Sequence, residues 1–313
     1  MDGRKSHSEI AKETGLTVEL VKKNYEEMEQ AGIINGSTIH VNYRSLGYKA
    51  VAHILISVDP EQAEKFFEFI TTSPGIYAAY SNGPKGNISV VTSLKTLHQL
   101  EEIKSTIRQN FSVSEMKTSI WTDVKEMHAN LRLTAKTTTS PENRKQIEKQ
   151  EKIERQDDLS KSRTTIDEID EKIVDKLSEN GRESFAKIAK EIGISIEKAK
   201  RRYKKLVNNG IIKVTIQIDP ARIGYKAAAI FFVVTSSETS SLINEISQIP
   251  DVISIMKSTG DYDLQIWVLL MNIDQLLVTQ EKMGRIPSIR KMDIEIVRMP
   301  NKWPTPRQYI STI

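Results

Sequence analysis

The 313-residue chain has no cysteine, which excludes disulfides and thiolate metal sites. It also lacks a long apolar run. The longest, Ala227 to Val234, is far shorter than the roughly 20 residues that cross a bilayer. The opening MDGRKSHSEI has no apolar leader segment, so a cytoplasmic location without membrane contact is the expectation. All five histidines, His7, His40, His53, His98 and His128, fall in the first half, none at metal-ligand spacing, and they read as surface or incidental residues. Neither a phosphate-binding glycine loop nor a G-x-S-x-G elbow occurs, so no cofactor and no enzymatic step are expected. What is present, 38% hydrophobic and 27% charged residues, fits an ordinary globular chain. Its length favours two to four domains. A net charge of +4 is too small to name a partner, and the distribution of charge says more.

The sequence repeats itself. Shifted by 178 residues, Gly3 to Asn35 lies on Gly181 to Lys213 with 14 of 33 positions identical. After a one-residue gap Gly47-Tyr48-Lys49-Ala50 falls on Gly224-Tyr225-Lys226-Ala227. A unit of roughly 130 residues therefore occurs twice. The boundaries read as a truncated winged helix-turn-helix at 1–45, an α/β sandwich at 46–130, a charged linker at 131–164, a complete winged helix-turn-helix at 165–220, a second sandwich at 221–300, and a tail at 301–313. The linker is rich in Thr, Ser and charge, with a solvated helix expected over 143–156.

In the second copy Thr165 and Glu168 fit a capping box. Ile166, Ile169, Ile173 and Leu177 then recur on one helical face. A second helix follows over 185–191, and Gly193 suits the sharp turn after it. Ser195 caps a third helix reaching Asn208, with Ile196, Ala199, Tyr203, Leu206 and Val207 on its apolar side. Two β-prone runs, 211–214 and 215–218, predict a small wing. The third helix carries Lys198, Lys200, Arg201, Arg202, Lys204 and Lys205 against the single anion Glu197. So dense a basic face attracts phosphate and can reach base edges, whereas a merely solvated face mixes signs. The expected DNA-binding residues are therefore Ser195, Lys198, Lys200, Arg201, Arg202, Lys204 and Lys205, with Arg201 and Arg202 foremost.

The first copy keeps the expected core, Val18, Val21, Tyr25 and Met28, but has Leu20, Lys23, Asn24 and Glu27 where the second has Lys198, Arg201, Arg202 and Lys205. Gly3 to Asn35 holds five basic and six acidic residues, against ten and three in Gly181 to Lys213. It also lacks the residues of a first helix. This reads as a degenerate module used for packing or assembly, not for DNA, whose removal (residues 1–45) should leave DNA affinity intact.

After each winged module the pattern is strand, helix, strand, strand, helix, strand, the ferredoxin-like βαββαβ order. In the second copy these fall near 226–235, 237–248, 252–258, 263–270, 273–283 and 289–297. In the first they fall near 50–58, 61–71, 76–80, 87–91, 94–110 and 113–122. The expected fold class is thus α+β, two copies of winged helix-turn-helix plus ferredoxin-like sandwich. Helices cover one face of such a sheet, so its other apolar face pairs with a second sheet, in this chain or in another.

The order and spacing of Ile166-Asp-Glu-Ile-Asp-Glu-Lys-Ile, Asn180-Gly-Arg182, Ile188-Ala-Lys-Glu-Ile-Gly-Ile-Ser195, Arg201-Arg202, Asn209-Gly-Ile-Ile212, Gly224-Tyr225 and Thr259-Gly-Asp-Tyr-Asp263 resemble the Lrp/AsnC (feast/famine) family of bacterial and archaeal regulators. The resemblance implies sequence-specific binding of double-stranded DNA and a homo-oligomer or an intrachain pairing of the two copies. It also implies a small effector such as an amino acid near Gly260, Asp261 and Asp263. The first copy departs from that motif, with Asn82-Gly-Pro-Lys-Gly-Asn87 in its place. Two other classes share these features. Siroheme decarboxylases resemble the family in both halves, and an architectural protein would bind DNA with little sequence preference.

Overall fold

The computed structural model describes residues 3–73, 76–82, 87–126, 166–236, 238–305 and 308–309. The expected linker at 131–164, its helix, Thr165, His128 and residues 83–86 lie outside them. In chain order the described elements are α1 (His7–Thr14), α2 (Val18–Gln30), β1 (Ile34–Val41), β2 (Ala50–Val58), α3 (Ala63–Thr72), β3 (Ile76–Asn82), β4 (Asn87–Leu94), α4 (His98–Asn110) and β5 (Val113–Glu126). The second half continues with α5 (Glu168–Glu179), α6 (Phe185–Ile192), α7 (Ile196–Asn208), β6 (Ile212–Ile218), β7 (Ala227–Thr235), α8 (Thr239–Ile246), β8 (Val252–Thr259), β9 (Leu264–Leu270), α9 (Ile273–Gly284), β10 (Ile289–Val297) and β11 (Gln308–Tyr309). Among the described residues no helix is long and apolar enough to cross a membrane.

These residues form two units, each built from both halves of the sequence. One unit takes the described residues of Met1–Leu46, Ser160–Ile223 and Pro300–Tyr309. The wing expected at 211–218 is not a hairpin. No turn residue interrupts Ile212–Ile218, so it continues as one strand, β6, and pairs antiparallel with β1 from Ile34↔Ile218 to Val41↔Ile212. β11 adds to the other edge of β1 in parallel. Helix α5 packs on β1 as well as on α6 and α7. Its end is tied there by the Thr38 hydroxyl, which donates to the Ser178 carbonyl at 2.8 Å, and by the Gly181 N–H, which donates to the Ser37 carbonyl at 3.0 Å.

Two local expectations are corrected in this unit. Helix α5 starts at Glu168, capped by Asp167 rather than Thr165, and the reciprocal partner is Asp170. Asp at the cap accepts the Asp170 N–H at 3.0 Å, the same economy a Thr/Glu box would provide. The apolar side of α2 is also only partly covered. Val21 is buried, but Val18 and Met28 are 40% and 37% exposed, and among the described residues no helix precedes α1 to lie on α2 as α5 lies on α7.

The other unit takes the described residues of Gly47–Leu159 and Gly224–Met299. Here β2-α3-β3-β4-α4-β5 and β7-α8-β8-β9-α9-β10 contribute to one eight-stranded sheet, order β10-β7-β9-β8-β5-β2-β4-β3. Strand β5 is the join. Its first part pairs with β2 and its last with β8, from Ile120↔Thr259 to Glu126↔Ser254. The end strands β3 and β10 approach one another. Alternate residues of β2 and β7, such as Ile54, Ile56, Phe231 and Val233, face the helices in two apolar clusters, as strand pleating requires. Their neighbours face the helix-free side. There Tyr80 of β3 meets Trp267 of β9 with ring centres 4.9 Å apart, and His53 of β2 lies 5.9 Å from Phe232 of β7. The helix-free surfaces of the two halves thus cover each other.

Two of the histidines read as surface residues are in fact core residues: His40 and His53 are 5% and 4% exposed. Both sit within strands whose two faces are covered, which periodicity alone does not reveal. In the first sandwich Leu94 ends β4 instead of opening the next helix, which starts at His98.

Candidate nucleic-acid interface

Helix α7 is fixed locally at its N-terminal end. Gly193 adopts φ 73° after α6, a conformation that a side chain resists. The Ser195 hydroxyl accepts the Lys198 N–H at 3.2 Å and so caps the helix. Ala199 and Leu206 are fully buried, which turns the outward side of the helix through Glu197, Lys200, Arg201, Lys204 and Asn208, all exposed. Among the described residues none of Lys200, Arg201 and Lys204 has an ion-pair partner.

The seven predicted DNA-binding residues divide into two groups. Ser195, Lys200, Arg201 and Lys204 are exposed, and Lys198 is half-buried at the edge of the same surface. Arg202 and Lys205 turn the other way, onto α5. Arg202 Nη1 lies 2.8 Å from Asp167 Oδ2 and 3.1 Å from Asp170 Oδ2, and Lys205 Nζ lies 3.1 Å from the same Asp170 oxygen. Burial opposes the charge on Arg202, but Asp170 and Asp167 outweigh it and raise the guanidinium above its usual range. The Asp167 carboxyl is held low, first by the Asp170 N–H and then by Arg202. Sequence periodicity grouped all six cations together. Only the positions of Asp167 and Asp170 across the α5–α7 contact separate them.

Helix α2 offers the contrasting case. Its lysines are matched within the helix, Lys22 with Glu26 and Lys23 with Glu27, each at 3.8 Å. At the position of Lys198 it presents Leu20, 41% exposed.

The motif at Gly260, Asp261 and Asp263 lies in the sheet unit. Gly260 has φ 129°, and a Cβ there would stand 2.8 Å from the Thr118 carbonyl of β5. The Asp263 carboxylate accepts the Thr235 N–H at 2.8 Å. Asp261 is exposed. The neighbouring Tyr262 hydroxyl donates to Asp293 at 2.5 Å, and burial followed by this bond raises its pKa. Among the described residues no cluster of His, Asp or Glu could hold a metal ion.

Residues 166–207, spanning α5 to α7, match the AsnC-type helix-turn-helix domain. The HTH-type transcriptional regulator FL11 of Pyrococcus horikoshii is 30% identical over 142 residues, covering 45% of this chain and 94% of that protein. The chain belongs to the Lrp/AsnC family. Another similar member, the HTH-type transcriptional regulator Ptr1 of Methanocaldococcus jannaschii, is 31% identical over 113 residues, 36% of this chain and 76% of its own. As an Lrp/AsnC protein the chain is a DNA-binding transcription regulator. Its fold along nearly the whole length is similar to that of the siroheme decarboxylase NirDL, with a TM-score of 0.61, 15% identity, and coverage of 96% of this chain and 87% of that one. At that identity the likeness is one of fold.

Proposed function

We propose that this regulator reads operator DNA with helix α7 alone, and that it does so without an enzymatic step. The observation that supports this is the exposed row Lys200, Arg201 and Lys204, without ion-pair partners among the described residues, set beside an α2 whose cations are matched by its own glutamates. Arg201 and Lys200 enter the major groove, while Lys198 and Lys204 take phosphates and the Ser195-capped end of the helix offers N–H groups to the backbone. Arg202 and Lys205 hold the helix on α5.

The chain is read as two fused Lrp/AsnC units, with boundaries at 1–45, 46–130, 165–220 and 221–300 joined by the linker at 131–164 and followed by the tail at 301–313. The two copies within one chain take the place of two subunits, and a cytoplasmic setting goes with this role. Each chain then brings one basic helix, so a two-fold operator engages two chains. A small effector, an amino acid by the family's habit, meets exposed Asp261, while Gly260 and Asp263 shape the turn that presents it.

The test is binding of the full chain to operator and random DNA across salt. Lys200→Ala with Arg201→Ala should weaken operator binding at least tenfold and reduce the slope of log K against log salt by roughly two. The unaltered chain should prefer its operator over random DNA by on the order of 10³ or more. Unchanged affinity in the double variant sinks the proposal, and equal affinity for both DNAs favours the architectural alternative.

A further inference from the structure

We propose that Arg4, which belongs to the first copy, is a positioning residue for the DNA-reading helix of the second; this rests on α7 being that helix. The Arg4 guanidinium carbon lies 4.7 Å from the centre of the Phe185 ring and 4.9 Å from that of Tyr203, and the two rings are 5.2 Å apart. Its Nε donates to the Gly181 carbonyl at 2.8 Å and its Nη2 to the Glu183 carbonyl at 2.7 Å. Phe185 opens α6, Tyr203 is in the middle of α7, and Gly181 to Glu183 link α5 to α6. One planar cation therefore ties the three helices of the reading module together.

The arrangement is reciprocal. Arg182 Nε donates to the Gly3 carbonyl at 2.6 Å and Nη1 to the Tyr25 hydroxyl at 2.8 Å, with its guanidinium 5.0 Å from the Tyr25 ring centre. In the 178-residue register Arg4 matches Arg182, Gly3 matches Gly181, and Tyr25 matches Tyr203. Each copy thus sends the same arginine into the same place in the other. Only one of the two exchanges reaches a helix with exposed cations, Lys200, Arg201 and Lys204, that lack an ion-pair partner among the described residues. Tyr203 follows Arg201 by two residues and so lies across α7 from it, which puts Arg4 behind the helix, away from the surface that meets DNA. Stacking combined with forked donation requires the flat guanidinium, and a lysine cannot reproduce it.

The experiment measures operator binding of the full chain against salt, at a temperature where circular dichroism shows each variant folded. Arg4→Lys should bind about tenfold more weakly with an unchanged salt slope, because the charge is kept and no phosphate contact is lost. Phe185→Leu, which removes one of the stacked rings, should give the same signature. Binding by both variants as tight as that of the unaltered chain overturns the assignment, as does a flatter slope in Arg4→Lys, which would make Arg4 a phosphate ligand. An unchanged Lys200→Ala/Arg201→Ala protein in the same assay would instead overturn the reading of α7.

Discussion

Asp170 is fully buried, and one of its oxygens receives both Arg202 and Lys205. A carboxylate in that position without cations would be strongly destabilising, so two of the six cations of α7 are committed before DNA is considered. His53 is the opposite case, a buried group that meets no charge among the described residues. Its ring stacks 6.2 Å from Trp121, its Nε2 has no hydrogen-bond partner among the described residues, and burial lowers its pKa to about 4. The unfolded imidazole titrates near its ordinary value of about 6.5. The unfolded chain therefore takes up this proton first. The contribution is intact above about 6.5 and is lost as pH falls towards 4, by up to on the order of 3 kcal/mol. Urea unfolding at pH 7 and pH 5 should show a smaller acid loss in His53→Phe than in the unaltered chain. Coincident losses would mean that His53 finds a partner in solution.

At the scale of elements, the turn between β8 and β9 is shaped by contact with β5. Gly260 both adopts φ 129° and approaches the Thr118 carbonyl so closely that a Cβ would stand 2.8 Å away. Gly260→Ala should destabilise the protein by about 1–3 kcal/mol and lower the melting temperature by several degrees. An unaltered melting temperature would show that the turn does not rest on β5. The sequence singled out this glycine through its motif, but the strand it abuts was not legible, because Thr118 is more than a hundred positions away. The same limit runs through the fold. Helix α7 could be read from Ser195, Gly193 and an apolar stripe, since caps and periodicity are local. The pairing of β6 with β1 could not. Val214 and Ile39 are cross-strand neighbours, yet nothing near either names the other, and a wing folding on itself was the nearest local solution. The split within the basic face was hidden for a related reason: Asp167 and Asp170 stand more than thirty positions before Arg202 and Lys205, and only helix packing brings them together.

Across the whole molecule, both units draw on both halves of the sequence, and this changes how the first copy can be tested. From sequence alone, removal of residues 1–45 should have spared DNA binding. In the structure those residues supply β1, the antiparallel partner of β6 along its full length, and Arg4, which stacks behind α7. They also supply Ser37 and Thr38, which tie the end of α5. Their deletion leaves an unpaired β6 and uncovers Ile212 and Val214, both 2% exposed in the intact chain. DNA binding should therefore be lost in the truncated protein, and protease digestion should show the module of α5 to α7 opened. That loss says nothing about whether α2 touches DNA. The separating variant is Lys22→Ala with Lys23→Ala, which removes exposed, glutamate-matched charges and leaves the core alone. If the first copy only supports the second, this variant binds operator with unchanged affinity and unchanged salt slope. A slope reduced by roughly two would show instead that both helices lie on the duplex and that one chain spans two grooves.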